Sequence, residues 1–136
     1  MLVVDASVAV KWFILEPETA DARALIEGPD PLIAPDLVVP EVLNVVWRRL
    51  IRGDLERDQV ADVPEALPKL FAEFWPSVWL AREAFEIAAE LRHPVYDCFY
   101  LALAESEDAV MITADRRLLG SLGGTRWEKR CRPLVG

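Results

Sequence analysis

The chain is poor in residue types that several common kinds of site require. Its two cysteines, Cys98 in an apolar run and Cys131 between arginines, are too few for a disulfide framework and indicate free thiols in a reducing compartment. Its single histidine, His93, has no nucleophile nearby in the sequence, which disfavours Ser/His/Asp and Cys/His catalysis, and we interpret it as a helix-end residue. No glycine-rich phosphate loop is present, so a nucleotide-binding fold is unsupported.

Long hydrophobic runs are missing as well. The apolar residues 2–4 reach Asp5 before a hydrophobic region of useful length has formed, so we expect no signal peptide. The longest uncharged runs fall far short of the roughly 20 residues that cross a bilayer. These absences predict a cytoplasmic protein that makes no membrane contact.

Size, composition and charge describe an anionic globular chain. Its 136 residues predict one domain spanning 1–136, and 53% hydrophobic against 28% charged residues excludes a disordered chain. Fifteen lysines and arginines against 23 aspartates and glutamates give a net charge of −8, which should repel nucleic acid. That objection fails if some of the carboxylates hold metal cations, so the charge alone does not decide the function.

Short apolar runs alternate along the chain with longer stretches of helical character. Strands are predicted at 2–4, 32–34, 109–113 and, least regularly, 70–74. Helices are predicted at 7–14, 19–27, 37–52, 55–66, 79–91, 96–107 and 115–119. Ser7 and Asp36 are predicted to cap the first and third helices, residues 120–124 to form a loop, and residues 126–132 to form a basic tail. This alternation indicates an α/β fold with a mostly parallel sheet.

Four carboxylates stand at positions that burial alone does not explain. Asp5 ends the first strand, and Glu41 begins the helix after the second. Asp97 opens an apolar helix, and Asp115 follows the last predicted strand by two residues. Because the carboxyl ends of parallel strands share one edge with the N-termini of the following helices, all four acids can meet there. Gathered carboxylates repel one another and need either protonation or a cation.

An all-oxygen site of this kind, without histidine or cysteine, suits Mg²⁺ or Mn²⁺ rather than Zn²⁺ and could support phosphodiester cleavage with one ion or two. Each acid also has a structural interpretation. Asp5 and Asp115 suit helix caps or turns, and Glu41 in a first helical turn interacts favourably with the helix dipole. Asp97 is the hardest to explain structurally, because its neighbours are apolar and a buried acid is costly unless it is paired or ligating.

Four short motifs carry a family resemblance. They are VVDAS at 3–7, PEVLN at 40–44, YDCFYLALA at 96–104 and TAD at 113–115. In this order and spacing they resemble the successive signatures of PIN-domain nucleases, and the short chain resembles the ribonuclease toxins of VapBC toxin–antitoxin modules. The resemblance spans residues 2 to about 120. It implies a three-layer α/β fold in which helices flank a central, mostly parallel sheet of short strands.

The resemblance also implies roles for individual residues. The catalytic, metal-binding site would consist of Asp5, Glu41, Asp97 and Asp115. The residues that would support it through hydrogen bonds are Ser7, Asn44 and Thr113. One departure from the family pattern is the sequence HPV at 93–95, where such toxins often carry threonine or serine. This departure could change a local cap but leaves the acids intact.

The implied activity is that of an endoribonuclease that depends on Mg²⁺, or Mn²⁺, and cuts single-stranded or loop RNA. The implied partners are RNA, a second copy of the chain in a homodimer, and a cognate antitoxin that wraps an amphipathic segment around the toxin. A PIN-fold RNA-processing nuclease without an antitoxin and a non-catalytic binding module are alternatives. Phosphoryl transfer through Asp5 is another, but none of the three lysines directly follows a predicted strand.

Several arginines outside the motifs could contact RNA. Arg48 shares a helix face with Glu41, where it could pair with the acids, hold a phosphate or belong to a solvated face. Arg116 and Arg117 directly follow the last of the four acids, and we expect one of them to face the site. The basic cluster at 126–132 could also contact RNA, although an ordinary charged tail explains it better.

Tryptophans at 12, 47, 75 and 79 indicate a possible contact surface. Most side chains of this kind lie in protein cores, but exposed ones would suit a groove for a partner helix. We therefore predict a hydrophobic partner or dimer surface that involves the first helix and residues 37–79.

Overall fold

The centre of the molecule is a five-stranded sheet. A computed structural model describes all 136 residues. The strands are β1 (Leu2–Val4), β2 (Leu32–Pro35), β3 (Glu73–Trp75), β4 (Val110–Thr113) and β5 (Cys131–Pro133). Their order is β3-β2-β1-β4-β5, and every neighbouring pair is parallel. All carboxyl ends therefore lie on one edge of the sheet, which confirms the predicted α/β class.

Eight α-helices connect and cover the strands. They are α1 (Ala6–Ala9), α2 (Thr19–Glu27), α3 (Val38–Ile51), α4 (Arg57–Val60), α5 (Val63–Lys69), α6 (Ser77–Leu91), α7 (Val95–Ser106) and α8 (Arg116–Leu122). Short 3₁₀ segments follow α1 at Val10–Trp12 and precede β5 at Glu128–Arg130. Helix α7 packs against β1, β2 and β4, and α6 packs against α7. None of the helices combines the length and the apolar character that crossing a bilayer demands.

The core is concentrated where β1, β4 and α7 meet. Val3 and Val4 of β1 and Met111 of β4 have no exposed surface, and residues 100–104 of α7 are buried one after another. Fully burying a valine, leucine or methionine side chain contributes roughly 1.5–3 kcal/mol. This packing holds the carboxyl ends of β1 and β4 and the first turn of α7 in a rigid relation to one another.

The first helix differs from its prediction. Asp5, rather than Ser7, is the cap, and its side chain accepts a hydrogen bond from the Val8 backbone N–H. The α-helix ends at Ala9 and continues only as the 3₁₀ segment, not to residue 14. Residues 8–12 are buried, so the prediction of a partner surface on the first helix is wrong: this segment packs into the core.

Asp36 does not cap α3 as predicted. The helix starts after Leu37, which makes no side-chain capping bond. Asp36 Oδ1 instead accepts hydrogen bonds from Ser77 at the start of α6, from the backbone N–H at 3.0 Å and also from the hydroxyl. The acid therefore ties the end of β2 to a helix 41 residues away, a contact that local capping rules do not include.

Three segment boundaries also differ. The predicted helix at 55–66 is two helices, α4 and α5, and Pro64 lies in the first turn of the second, where its missing N–H costs little. Strand β3 begins later than the predicted strand at 70–74. Helix α8 continues through Gly120 to the buried Leu122, where a loop was predicted.

The predicted basic tail at 126–132 is part of the fold. It contains the second 3₁₀ segment and most of β5, which pairs with β4. Trp127 is fully buried, and its Nε1 donates to Glu105 Oε2 at 3.1 Å. Arg126 makes a 2.9 Å ion pair with the same carboxylate. Through these contacts the segment holds β5 against the core.

The two cysteines are free thiols, as predicted, and both are buried. Burial raises the pKa of Cys98 to about 11 and that of Cys131 to about 12. Because only the thiolate is a strong nucleophile, both side chains are unreactive at neutral pH and serve packing.

Candidate active site

A cavity of about 450 Å³ opens at the carboxyl edge of the sheet. All four acids singled out in the sequence line it, although they come from four different parts of the chain: Asp5, Glu41, Asp97 and Asp115. Strand ends and helix starts meet at this edge, which is why residues up to 110 positions apart share one wall.

Asp5 is the most deeply placed of the acids. Its Oδ1 accepts from Ser7 Oγ at 2.6 Å and from the Val8 N–H at 3.2 Å, and its Oδ2 accepts from the Thr113 hydroxyl. Burial raises the pKa of Asp5 to about 7, although these hydrogen bonds oppose the shift. The negative charge of Asp97 adds a smaller upward contribution to the pKa. Asp5 is therefore an acid that is costly to ionise without a cation nearby.

Glu41 lies in the first turn of α3 and is held by Tyr100 of α7. The Tyr100 hydroxyl donates to Glu41 Oε1 at 2.6 Å. Burial raises the pKa of Glu41, the Tyr100 hydrogen bond opposes that rise, and the charge of Asp97 adds to it. Burial, together with the nearby Glu41 carboxylate, raises the pKa of Tyr100 well above its usual value, so its hydroxyl stays a donor.

Asp97 and Asp115 sit at the starts of α7 and α8. Asp97 Oδ2 is 2.6 Å from His93 Nε2. Asp115 caps α8, and its Oδ1 accepts from the backbone N–H groups of Arg117 at 2.9 Å and Leu118 at 3.2 Å. The interpretation of Asp115 as a helix cap is thus correct, and the same residue also lines the cavity. A cap and a site residue are compatible because capping uses only one oxygen.

Three of the carboxylates keep an oxygen that no protein donor reaches. Hydrogen bonds occupy Glu41 Oε1, Asp97 Oδ2 and Asp115 Oδ1. The second oxygen of each carboxylate remains for another partner: Glu41 Oε2, Asp97 Oδ1 and Asp115 Oδ2. Hard divalent cations such as Mg²⁺ and Mn²⁺ prefer oxygen ligands, so the donor set fits such an ion chemically. No three acidic, histidine or cysteine side chains form a ready-made metal cluster.

The three residues that were predicted to support the acids differ from one another in their contacts. Ser7 and Thr113 both donate to Asp5, and they lie 3.3 Å apart. Ser7 Oγ also accepts from the Ala114 N–H at 2.9 Å, so this network joins the ends of β1 and β4. Asn44 lines the cavity one turn beyond Glu41 on α3, but its side chain forms no hydrogen bond with the acids, contrary to the prediction; Glu41 is held by Tyr100 instead.

The arginines near the acids divide into two groups. Arg48 lines the cavity. Arg116 and Arg117 are exposed, and neither lines it, although we expected one of them to face the site. Arg117 meets Asp115 only through its backbone N–H.

Sequence reasoning missed four residues of this region. Lys11 is buried and lines the cavity together with Glu16, and its Nζ lies 2.8 Å from Glu16 Oε2. Tyr100 and His93 hold two of the acids. Helical spacing was the available signal for Tyr100, which lies three residues after Asp97 on α7, whereas His93 precedes that helix and spacing gave no signal for it.

Comparisons with known proteins agree with the geometry of the site. The PIN domain family model matches residues 2–120. The chain is 31% identical over 119 residues to the ribonuclease VapC3 of Pyrobaculum aerophilum, which covers 86% of this chain and 91% of that protein. It is 37% identical over 121 residues to the ribonuclease VapC9 of Mycobacterium tuberculosis, which covers 87% of this chain and 88% of that protein.

Solved structures agree on the fold. The crystal structure of PAE2754 from Pyrobaculum aerophilum matches 98% of this chain and 88% of its own with a TM-score of 0.66 at 22% identity. A toxin–antitoxin complex from Klebsiella pneumoniae matches 99% of this chain and 98% of its own with a TM-score of 0.67 at 15% identity. The predicted fold, with helices flanking a parallel sheet of short strands, is thereby confirmed. The chain belongs to the PIN-domain family, alongside the VapC ribonucleases.

Proposed function

We propose that this protein is an endoribonuclease that hydrolyses phosphodiester bonds in single-stranded or loop RNA with the help of Mg²⁺ or Mn²⁺. The observation that carries the proposal is the meeting of four acids from four separate elements in one cavity. Relatives above 30% identity are named ribonucleases, which supports RNA as the substrate. The net charge of −8 and the four acids repel phosphate, and a cation at the acids would offset that repulsion.

The acidic residues proposed to hold the ion are Asp5, Glu41, Asp97 and Asp115. A divalent cation bound there would offset the negative charge of the phosphate and would lower the pKa of a water molecule bound to the cation. Ser7 and Thr113 keep the Asp5 carboxylate directed to the cavity, and Tyr100 does the same for Glu41. Asp97 and Asp115 line the same cavity, and each has one carboxylate oxygen without a protein donor.

Arginines are proposed to hold the RNA backbone. Arg48 lines the cavity beside Asn44, where a guanidinium can donate two hydrogen bonds to one phosphate. Arg116 and Arg117 lie outside the cavity wall and are exposed, so we assign them to phosphates farther along the RNA. Asn44 adds an amide that can bind a phosphate oxygen or a base edge.

The proposed biological setting is a toxin–antitoxin module in the cytoplasm. Similarity to a structure described as a toxin–antitoxin complex supports an antitoxin partner, and free buried thiols suit a reducing compartment. Exposed apolar side chains are available for an antitoxin and for a homodimer: Trp47 and Ile51 on α3, and Val78, Trp79 and Phe85 on α6. They lie within or just beyond residues 37–79, where a partner surface was predicted.

Cleavage assays test the nuclease. RNA should be cut with Mg²⁺ or Mn²⁺ and left intact in EDTA, and Asp97→Asn should lose cleavage by about 10²-fold or more while keeping its fold by circular dichroism. Asp58→Asn is the matched control, because Asp58 is an exposed acid of α4 away from the cavity. Full activity in Asp97→Asn would refute the assignment. A chain that binds no divalent cation would favour a non-catalytic binding module.

A further inference from the structure

The turn between α6 and α7 has an unusual backbone. Arg92 ends α6 in the left-handed conformation, with φ of 54°, although it is not a glycine. Pro94 is the N-cap residue of α7 and has extended geometry, with φ of −52° and ψ of 139°. His93 lies between them, and this turn directs its side chain back over the first turn of α7.

Asp97 occupies the third position of α7, where in a capping box an acidic or amide side chain accepts from the backbone N–H of the N-cap residue. That bond is impossible here, because Pro94 has no backbone N–H. The donor that meets Asp97 is the His93 imidazole, whose Nε2 lies 2.6 Å from Oδ2. Because an ionised carboxylate can only accept, its hydrogen bond with His93 requires the tautomer in which Nε2 carries the proton.

The pair is shielded from water without being fully buried. The side chain of His93 is 14% exposed and that of Asp97 26%. The hydrogen bond uses Oδ2, and Oδ1 has no protein donor while the residue lines the cavity. The terminal torsion of an aspartate side chain otherwise takes a broad range of values, so this hydrogen bond fixes the orientation of the Asp97 carboxylate.

We propose that His93 is a positioning residue that orients the Asp97 carboxylate for a divalent cation. The inference rests on the proposed function, since it assumes that the four acids bind the ion. Hydrogen bonds from neighbouring groups commonly set the orientation of metal-binding carboxylates, and losing one typically costs 10–100-fold in metal affinity. The sequence His93-Pro94 thus replaces a backbone donor by a side-chain donor.

Two variants separate positioning from packing. His93→Leu fills similar space but has no donor, whereas the amide nitrogen of His93→Gln reaches the position of Nε2 and can donate to Oδ2. Mg²⁺ and Mn²⁺ are titrated by calorimetry into the metal-free wild type and both variants. We expect His93→Leu to bind about tenfold or more weakly and His93→Gln to stay within about threefold of the wild type.

Imidazole resonances give a second measurement that does not depend on activity. His93 is the only histidine, so its signals need no further assignment. Adding Mg²⁺ to the metal-free protein should shift them, and Asp97→Asn should abolish the shift. Unfolding curves in EDTA verify that each variant is folded at the temperature of the titrations.

Outcomes of the titrations distinguish the two proposals. Equal cation affinity in His93→Leu and the wild type would overturn the positioning role alone. A wild-type chain that binds neither cation would overturn the proposed function, and the positioning role with it. Weakened binding in both variants would also contradict the inference, because His93→Gln retains the donor.

Discussion

At the scale of single residues, Asp5 combines burial with a supporting network. Ser7, Thr113 and the Val8 N–H all donate to its carboxylate, yet burial dominates and raises its pKa to about 7. The folded chain therefore binds a proton at Asp5 more strongly than the unfolded chain, whose aspartates titrate near pH 4. Raising the pH from about 4 to about 7 consequently lowers the free energy of unfolding, because the unfolded chain ionises this aspartate while the folded chain keeps its proton.

Substituting Asp5 by asparagine removes this ionisation and nearly preserves the shape of the side chain. In EDTA, the free energy of unfolding of Asp5→Asn relative to the wild type should rise between about pH 4.5 and pH 7.5, by roughly 1–4 kcal/mol. Urea denaturation at several pH values measures the difference. Asp58→Asn, at an exposed acid, should show no such trend. A difference that does not vary with pH would contradict a raised pKa of Asp5.

At the scale of elements, the last strand depends on a residue that sequence patterns did not reveal. Trp127 precedes β5, has no exposed surface, and hydrogen bonds through its indole to Glu105 of α7. The Arg126 guanidinium lies 4.0 Å from the centre of its ring. The segment was predicted to be a basic tail because its charges are dense, but one large buried side chain outweighs them.

Replacing this tryptophan tests how strongly the segment is held. Trp127→Ala should lower the free energy of unfolding by about 3–5 kcal/mol, because it leaves a large cavity in the core. Trp79→Ala is the matched control. Trp79 is 70% exposed on α6, so its loss should change the isolated chain by about 0.5 kcal/mol or less. Equal losses in denaturant unfolding would show that the end of the chain is not part of the core.

At the scale of the whole molecule, charge opposes the proposed substrate. The net charge of −8 repels RNA, and the acids that line the cavity concentrate that repulsion where the phosphate must bind. A cation at the acids reverses the local sign. Arg48 is the arginine that lines the cavity and is therefore placed to assist.

Binding of a cleavage-resistant phosphorothioate RNA should consequently require a divalent cation. Fluorescence anisotropy should show at least about tenfold tighter binding in Mg²⁺ than in EDTA. Arg48→Ala should weaken binding in Mg²⁺ several-fold, because it removes one phosphate contact. Arg57→Ala, at an exposed arginine of α4, should not. Equal affinity in EDTA and Mg²⁺ would indicate a binding surface other than the acidic cavity.

Local sequence signals predicted most of the elements well. Apolar runs marked β1, β2 and β4, and apolar periodicity marked α2, α3, α6 and α7 with small errors at their ends. Residues such as Asp36 and Trp127 were misassigned because their roles come from distant partners, Ser77 and Glu105. Strand β5 was missed because three residues among arginines carry no alternation of their own.

The sequence by itself determined which acids share the cavity, since Asp5, Glu41, Asp97 and Asp115 stand at strand ends and helix starts, and a parallel sheet brings such positions to one edge. Only the tertiary structure decided how each carboxylate is held. Donors such as Tyr100 and the turn that carries His93 meet the acids through side-chain directions and helix packing. Spacing along the chain places a residue on a face, but a hydrogen bond of 2.6 Å depends on how two elements pack.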